Sequence, residues 1–513
     1  MSSKEFIIQE VINFYYKYDK LPSFNELKSL NITRDKVRNQ FSTLENLYDC
    51  VSQKLNLLTH KTIKPIPKNF KHSKYVITTA VANAKVNKIF LKLLELYCFE
   101  NNAQLLIIPQ FKLNGYSLFD IKLTNYYFVV DRFFINSNCQ ILNIQHPNNS
   151  KDPTVGIASI GTRYISSILP SSIVRLKYVA MGLNKFPHAI MTTGAITENI
   201  HKNDKILTRS SFINSNLHTF GAVVVEVENN EFFHFRQIIY NNDNVLFDLG
   251  KKYSLSGVKK CEPILVLGDW HVGKTNLAVK TETIKFAKKI NAKKLVLHDV
   301  FDAYSISHHD TNKMIVKAKK AQNKLLSLEY ELDQYINDLK FFLQHKFHLI
   351  IVKSNHDEHL ERYIEEVRFK DDPINFFIAA NLVQFLKENK NPLKEYTLKF
   401  YPAFKKLIKW LNRDESFKFG GVELGAHGDK GANGSFPSLQ QLEGSYGDII
   451  IGHRHTPEIK GRVWVVGTST DTRPDYGNGP SSWMNTHCIV YPNGTRQLVN
   501  FINGKFFYEK FKK

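Results

Sequence analysis

The chain has 513 residues, of which 43% are hydrophobic and 12% aromatic. At roughly 150 residues per domain this length predicts about three domains, and it excludes a small fold held by disulfides. The 69 Lys and Arg residues outnumber the 48 Asp and Glu residues and leave a net charge of +21. In a folded chain such a charge attracts polyanions such as nucleic acid, although a composition rich in Lys, Asn and Ile also follows from a GC-poor gene.

Cysteine usage and the N-terminal sequence indicate the compartment. The five cysteines are widely spaced and form no CxxC pair, so free thiols and a reducing compartment are expected. The first twenty residues lack the basic and apolar regions of a signal peptide, and no run reaches the ~18 uncharged apolar residues of a membrane span. We therefore expect a cytoplasmic protein without a membrane span.

Residues 1–58 have the pattern of a small helical module. Apolar spacing predicts a helix over residues 4–17, and Ser23 and Thr33 are each placed to cap a further short helix. Two short helices joined by a tight turn, the second of them basic, resemble a helix-turn-helix. A helical module for protein contacts explains the pattern equally well. In the first interpretation the third helix contacts DNA through Arg34, Lys36 and Arg38.

Two further segments precede the C-terminal half. Residues 59–74 contain two prolines and five lysines with little apolar periodicity, which predicts a linker. Next, the runs YVITT and QLLIIP flank a helical pattern over residues 86–99, an order that predicts a β-α-β unit. We therefore expect a mixed α/β domain over residues 75–255, with a role in guiding DNA or in oligomerisation.

Polar residues follow apolar strands repeatedly in the C-terminal half. Of the 19 histidines, 12 lie between residues 261 and 513. Because the carboxyl ends of parallel strands meet at one edge of a sheet, the residues that follow them converge there. Clustered Asp, Asn and His side chains are suitable metal ligands. The residues in this context are Asp269, His271, Asp299, Asp302, Asn355, His356, His427, His453 and His455.

The stretches that carry these residues resemble the motifs of the calcineurin-like metallophosphoesterase superfamily over about 200 residues. They are GDWH at 268–271, HDVFD at 298–302, SNHD at 354–357, AHGD at 426–429 and GHRH at 452–455. Three glycines of the family motifs are replaced, by His298, Ser354 and Ala426, so the local turns are expected to differ. The resemblance implies an α/β fold in which residues 256–513 form a metallophosphoesterase β-sandwich flanked by helices.

Matched by position, the family pattern implies two divalent metal ions that share Asp299. One ion would take Asp269, His271, Asp299 and His455, and the other Asp299, Asn355, His427 and His453. Nitrogen and oxygen ligands without a thiolate suit manganese, with magnesium, zinc or iron as alternatives. Two such ions activate water and neutralise charge during phosphoryl transfer. His356 would face the leaving oxygen and either donate a proton to it or stabilise its developing charge.

Asp302, at the variable position of the second motif, indicates the subclass. Tyrosine at this position marks purple acid phosphatases, and Ala303-Tyr304 replace the arginine that protein phosphatases carry next. The motif resembles that of the repair nucleases SbcD and Mre-eleven, which implies a catalytic role for Asp302 and hydrolysis of DNA phosphodiesters. Two alternatives remain: an enzyme of the same fold for small phosphomonoesters or cyclic nucleotides, and a DNA-binding transfer protein with a vestigial site.

Segments outside the motifs resemble the early DNA-degradation and DNA-transfer proteins of the T-five group of tailed phages. They include FPHAIMTTGAIT, HTFGAVVVEV and VVGTSTDTRPDYGNGPSSWMNTHCIVYPNG. This resemblance implies a manganese-dependent DNase that degrades host DNA in the cytoplasm of an infected bacterium. It also implies a homo-oligomer, with a phage or host protein as a further partner.

Five residues close to the motifs are candidates for substrate contacts. Two histidines follow the second motif, where a solvated helix start is the alternative, and a lysine follows the fourth, where an exposed lysine is the alternative. A serine and a tryptophan near the C-terminus would grip a sugar or stack on a base, or else pack in a terminal hairpin. These residues are His308, His309, Lys430, Ser482 and Trp483.

Overall fold

A computed structural model of the chain describes residues 2–18, 20–113, 115–146, 152–157, 165–182, 186–200, 208–310, 313–473 and 479–506. They form a mixed α/β structure with several sheets, as expected. The chain divides into two compact units. The first unit comprises Met1–Arg175, Ile190–Phe233 and Asn242–Asn244, and the second comprises Leu176–Ala189, His234–Asn241 and Val245–Lys513. The domain boundaries inferred from the sequence stay predictions.

The first unit begins with a helical module around a small apolar core that includes Val11, Leu27 and Val37. Both predicted caps are confirmed. Ser23 accepts a hydrogen bond from the backbone of Glu26 within a capping box, and Thr33 accepts one from the backbone of Lys36. The helices are Ser3–Tyr18, Phe24–Ser29, Arg34–Phe41 and Leu44–Lys54.

The rest of the first unit contains the predicted β-α-β unit. Strands Lys74–Val81 and Gln104–Gln110 are parallel, and helix Lys88–Glu100 connects them. The strands Phe220–Val227 and Tyr127–Phe128 pair on either side of these two. The remaining elements are strands Leu58–Thr59, Leu118–Phe119, Arg132–Asn136, Cys139–Leu142, Ser166–Leu169 and His188–Thr192, the 3₁₀ turn Ile121–Leu123 and helix Arg209–Leu217.

The second unit is built on a six-stranded sheet. In spatial order its strands are Ile408–Trp410, His348–Ile351, Lys294–Leu297, Ile264–Val266, Thr486–Val490 and Arg496–Asn500. The first four strands are parallel, and Thr486–Val490 runs antiparallel to its neighbours on both sides. The short central strands are continuous apolar runs because parallel sheets are covered on both faces. The main core of the unit surrounds them.

A second set of strands in this unit carries the later motifs. In spatial order they are Lys418–Phe419, Val422–Glu423, Ile449–Ile451, Val463–Val465 and Glu458–Lys460. Further strands are Arg175–Val179, Phe233–Tyr240, Val245–Asp248, Lys251–Ser254 and Gly257–Lys260. The helices are Leu277–Lys289, Met314–Gln322, Leu328–Leu343, Asn355–Glu365, Phe376–Lys387, Pro392–Phe400 and Leu439–Tyr446, with 3₁₀ turns at His308–Asp310, Arg368–Asp371, Pro402–Lys406 and Ala432–Gly434.

The apolar periodicity of residues 311–345 predicts one long amphipathic helix. The structure instead has two helices in this stretch, Met314–Gln322 and Leu328–Leu343. Lys324 between them has a left-handed backbone with φ of 59°, which ends the first helix, and Ser327 caps the second. Across the part of the chain that the structure describes, no helix has the length and apolar character needed to cross a membrane.

Candidate metal centre

The candidate ligands are positioned by the ends of parallel strands. Strands Ile264–Val266, Lys294–Leu297 and His348–Ile351 lie side by side, and Asp269, Asp299 and Asn355 follow them in the chain. The first two loops are joined through their backbones, since the amide of His271 donates to the carbonyl of Asp299 at 2.7 Å. The strand-then-ligand pattern of the sequence therefore places its residues at one edge of the sheet, as expected.

One group of ligand atoms contains Asp269, His271, Asp299 and His455, and all its members lie within 4.8 Å of one another. The Nε2 atoms of His271 and His455 are 3.1 Å apart, and His455 Nε2 lies 3.2 Å from Asp269 Oδ2. The two carboxylates are fully buried, at 0% and 1% exposure. This arrangement faces two carboxylates and two imidazoles towards one point.

A second group shares Asp299 with the first and adds His427 and His453. His427 Nε2 lies 3.1 Å from Asp299 Oδ2, and His427 is itself buried. Asn355, at the start of helix Asn355–Glu365, has a buried Oδ1 without a hydrogen-bond partner among the described residues. Asp299 is thus the carboxylate that links the two groups.

The pKa values in this cluster are set by close opposite charges. Burial disfavours charge on His271, but Asp302, Asp299 and Asp269 outweigh it and raise the pKa of His271 to about 9. Burial likewise opposes charge on His427, yet Asp299 raises its pKa to about 9. The pKa of Asp299 lies well below its usual range, because the neighbouring histidines outweigh its burial. The carboxylates are therefore ionised, and the site favours positive charge at its centre.

Several buried oxygen atoms of the site have no hydrogen-bond donor among the described residues, which is a further sign that the site suits a metal ion. Both carboxylate oxygens of Asp269, Oδ1 of Asp299 and Oδ1 of Asn355 are buried without a hydrogen-bond donor among the described residues. Leaving such atoms unpaired is costly unless a cation or water satisfies them. The buried His and Asp groups could therefore hold a metal ion.

Asp302 and His356 lie beside the ligands and contact each other. Asp302 Oδ1 lies 2.8 Å from Nδ1 of His271, which leaves Nε2 of His271 for the ligand group. His356 Nδ1 lies 2.6 Å from the carbonyl oxygen of Asp302, so Nδ1 is the donor in this contact and Nε2 takes no part in it. The side chain of His356 is 26% exposed. The contacts of Asp302 indicate that it orients both rings; its predicted catalytic role stays a prediction.

The backbone at the ligands is unusual. His271, Asp299, His453 and His455 all have left-handed φ angles between 47° and 68°. Such a conformation costs roughly 1–3 kcal/mol per residue and persists only where the surrounding structure enforces it. Gly452 contributes in a different way, because a Cβ atom there would lie 2.2 Å from Oδ1 of Asp269. The glycine of the GHRH motif therefore makes room for a buried carboxylate.

We expect Gly452→Ala to weaken metal binding although it removes no ligand. The new methyl group would overlap Oδ1 of Asp269 and push the carboxylate out of its position. Loss of outer-shell support at metal sites costs about 10- to 100-fold in affinity, and we expect at least that loss here, measured by manganese titration. Gly444→Ala is the matched control, because a Cβ atom at Gly444 would contact nothing within 4 Å. Equal metal affinity of Gly452→Ala and wild type would contradict the assigned role.

His487 contacts the backbone just before the candidate ligand Asp269. Its Nδ1 accepts the backbone N–H of Gly268 at 3.0 Å, and its Nε2 lies 2.8 Å from the Thr283 hydroxyl. That hydroxyl donates to the carbonyl of Val279, so the ring nitrogen donates to the hydroxyl. Complete burial lowers the pKa of His487 to about 3. His487 is therefore neutral in the folded protein.

This depressed pKa makes the second unit sensitive to acid. The unfolded chain has a histidine pKa of ~6.5, so it binds the proton first, and stability is lost as pH falls from about 6.5 towards 3. The slope for one such group is ~1.4 kcal/mol per pH unit. All four tryptophans lie in the second unit, so their fluorescence in urea reports its unfolding. We expect His487→Asn to have a lower free energy of unfolding at pH 7.5. Below pH 6.5 we expect its free energy of unfolding to depend less steeply on pH, by about 1.4 kcal/mol per pH unit. An unchanged slope would exclude His487 as the source of the acid sensitivity.

The five candidate substrate contacts lie in different surroundings. Lys430 Nζ is held by both carboxylate oxygens of Glu358, at 2.7 and 2.8 Å. Ser482 forms a hydroxyl pair with Thr456 at 2.8 Å. The ring of Trp483 packs edge-on against that of the ligand candidate His455, with centroids 4.2 Å apart. His308 and His309 form an exposed 3₁₀ turn.

The DNA-binding candidates belong to the first unit. Arg34, Lys36 and Arg38 are all exposed. The Arg34 guanidinium lies over the ring of Phe24 at 4.8 Å, and Lys36 Nζ donates to the carbonyl of Asn31 at 2.9 Å. The described contacts thus engage Arg34 and Lys36 locally, and a role in DNA binding stays a prediction.

Several residues at the site escaped sequence reasoning. His298, in place of a motif glycine, is fully buried and stacks on His427, with Nδ1 atoms 3.4 Å apart. Helix Leu328–Leu343 contacts both the loop that carries Asp269 and the loop that carries Asp299. Its Glu331 accepts the backbone N–H groups of Tyr304 and Ser305, and its Asp338 accepts the indole N–H of Trp270 at 2.6 Å. Glu331 and Asp338 are acidic residues at buried positions of this amphipathic helix. Acidic residues on the buried face of a helix are the sequence signal that could have identified them.

Comparison with known proteins gives one similarity. The chain is 30% identical over 313 residues to Protein A1 of Escherichia phage T5, an alignment that covers 57% of this chain and 55% of that protein. The chain thus spans about half the length of the relative it matches. No family model matches the chain, and no solved structure matches it. A phage relationship is therefore supported.

Proposed function

We propose that the chain is a metal-dependent DNA nuclease that hydrolyses phosphodiester bonds. The observation that carries this proposal is the pair of buried ligand groups that share Asp299. Their order in the chain and their strand-end positions match the five metallophosphoesterase motifs. We assign residues 256–513 to that fold, with the two sets of strands of the second unit as its layers.

Two divalent ions, manganese first among them, are the proposed cofactors. Asp269, His271 and His455 would hold one ion, Asn355, His427 and His453 the other, and Asp299 both. When bound, the ions would act as Lewis acids that activate water and neutralise charge on the phosphate.

The protein's own groups would orient the reaction. Asp302 lies 2.8 Å from Nδ1 of His271 and would orient the ring so that Nε2 could hold a metal ion. His356, held through Nδ1 by the carbonyl of Asp302, would present Nε2 to the leaving oxygen and supply its proton. Both roles depend on the same loop, so this loop would couple ligand geometry to proton donation.

DNA is the proposed substrate because of charge and relationship. The net charge of +21 favours a polyanion over a small ester. Similarity to a phage protein is consistent with action in the cytoplasm of an infected bacterium. Self-association and a further protein partner remain predictions.

The test is cleavage of linear and closed-circular duplex DNA with manganese, magnesium or chelator. We expect metal-dependent cutting that weakens steeply as salt is raised, because phosphate contacts release counterions. Cutting of the closed circle would show that free ends are not required. Binding without cutting under every metal would favour a transfer protein, and hydrolysis of a small diester alone would favour the phosphoesterase alternative.

A further inference from the structure

A row of aromatic rings leads away from the candidate metal centre on the side of His356. The ring of His356 packs edge-on against that of His271, with centroids 4.8 Å apart, and against that of His359 at 5.4 Å. His359 in turn lies 5.1 Å from His308, whose ring packs at a tilt against that of His309 with centroids 3.8 Å apart. The ligand His271 and the surface are thus connected by consecutive imidazole rings.

The outer end of this row is accessible and has a cationic border. His308 and His309 are exposed. The exposed side chain of Arg362 lies beside His359, with Nη2 of the arginine 2.8 Å from Nδ1 of the histidine. Burial and the neighbouring positive groups lower the pKa of His359 to about 4, so this ring is neutral at pH 7. The row therefore consists of aromatic rings, and Arg362 beside it supplies a positive charge.

Aromatic ring faces next to a cation recognise unpaired nucleotides. Every base has a π-face that stacks on aromatic side chains, and an arginine beside them follows the phosphates. Bases inside a duplex are already stacked on each other and present only their edges in the grooves. A row of this kind therefore has little to offer intact duplex DNA.

We propose that His359, His308 and His309 form a stacking site for the bases of an unpaired DNA segment, with Arg362 on its phosphates. The site extends from His356, so the segment it holds is continuous with the phosphodiester at the metal centre. This placement rests on the proposed function. The substrate would accordingly be DNA with a single-stranded or locally opened stretch.

The test measures the base-dependent part of binding without any cleavage. Metal-depleted full-length protein in chelator is titrated with two labelled oligonucleotides of about eight residues, a length within the usual site sizes. One is oligothymidylate and the other an abasic strand with the same phosphates. We expect the wild-type protein to bind oligothymidylate about tenfold or more tightly, the gain from one well-stacked base.

The variants separate stacking from charge. His308→Ala combined with His309→Ala is expected to abolish the preference for oligothymidylate, whereas His308→Phe with His309→Phe is expected to retain it, because phenylalanine keeps the ring face. His348→Ala, at an exposed histidine of the same unit, is the matched control. An unchanged preference in the alanine variant would overturn the proposal, and so would its loss in the phenylalanine variant.

The two proposals fail in different ways. Base-dependent binding by a protein that cuts no DNA would leave the stacking site in place and remove the nuclease. Metal-dependent cutting by a protein without base-dependent binding would leave the nuclease in place and remove the stacking site. If both proposals hold, we expect the nuclease to prefer DNA with single-stranded overhangs over blunt duplex, and we expect the alanine variant to lose this preference.

Discussion

Asp299→Asn is expected to remove both metal ions and DNA cleavage together. Asp299 is the carboxylate common to the two ligand groups, and the asparagine has the same size but lacks the negative charge. Loss of a residue that merely supports a ligand costs about 10- to 100-fold in metal affinity or activity. We therefore expect the shared ligand to cost more than about 100-fold at both sites, measured by manganese titration and by cleavage.

The variant is expected to fold. In the metal-free protein Asp299 raises the pKa of His427 to about 9 against the effect of burial, and without the carboxylate His427 can remain neutral. Asp333→Asn, on an exposed position of helix Leu328–Leu343, controls for the loss of one carboxylate. A variant that loses only one ion would show that Asp299 serves a single site.

His356→Ala is expected to abolish catalysis and to retain the metal. His356 contacts the carbonyl of Asp302 and its ring packs against that of His271, but it belongs to neither group joined by Asp299. Removing a general acid typically costs 10²- to 10⁴-fold in rate. The measurement is the cleavage rate of DNA together with the manganese content of the same sample.

The leaving group distinguishes proton donation from other effects. The sugar alkoxide released from DNA requires a proton, whereas a p-nitrophenolate leaves without one. We therefore expect His356→Ala to slow hydrolysis of DNA far more than that of bis-p-nitrophenyl phosphate. Equal loss on both substrates would remove the proton-donor role, and loss of manganese would make His356 a ligand.

The candidate ligands could be found from the sequence because their signals are local. Each apolar strand is followed at once by its Asp, Asn or His, and parallel pairing then brings the strand ends together, as seen for Asp269 and Asp299. The caps at Ser23 and Thr33 were predictable for the same reason. Patterns that span only a few residues were therefore sufficient to predict the candidate metal ligands and the helix caps.

Contacts between distant segments were not accessible. Glu358 lies 72 residues from Lys430, yet it holds this lysine, which was a candidate for substrate contact. The structure also assigns Leu176–Ala189 and His234–Asn241 to the second unit, although both segments lie within the predicted middle domain. Tertiary packing decides such partners, and no short pattern in the chain encodes them.

The proposed metal centre depends on Asp299 as the carboxylate shared by two ions. Electron paramagnetic resonance of the protein titrated with manganese tests this sharing, because two Mn²⁺ ions with a common ligand are exchange-coupled. The expected result is two ions per chain with a coupled signal that is absent in Asp299→Asn. A single bound ion, or two ions with the uncoupled spectrum of isolated Mn²⁺, would show that Asp299 does not bridge two ions.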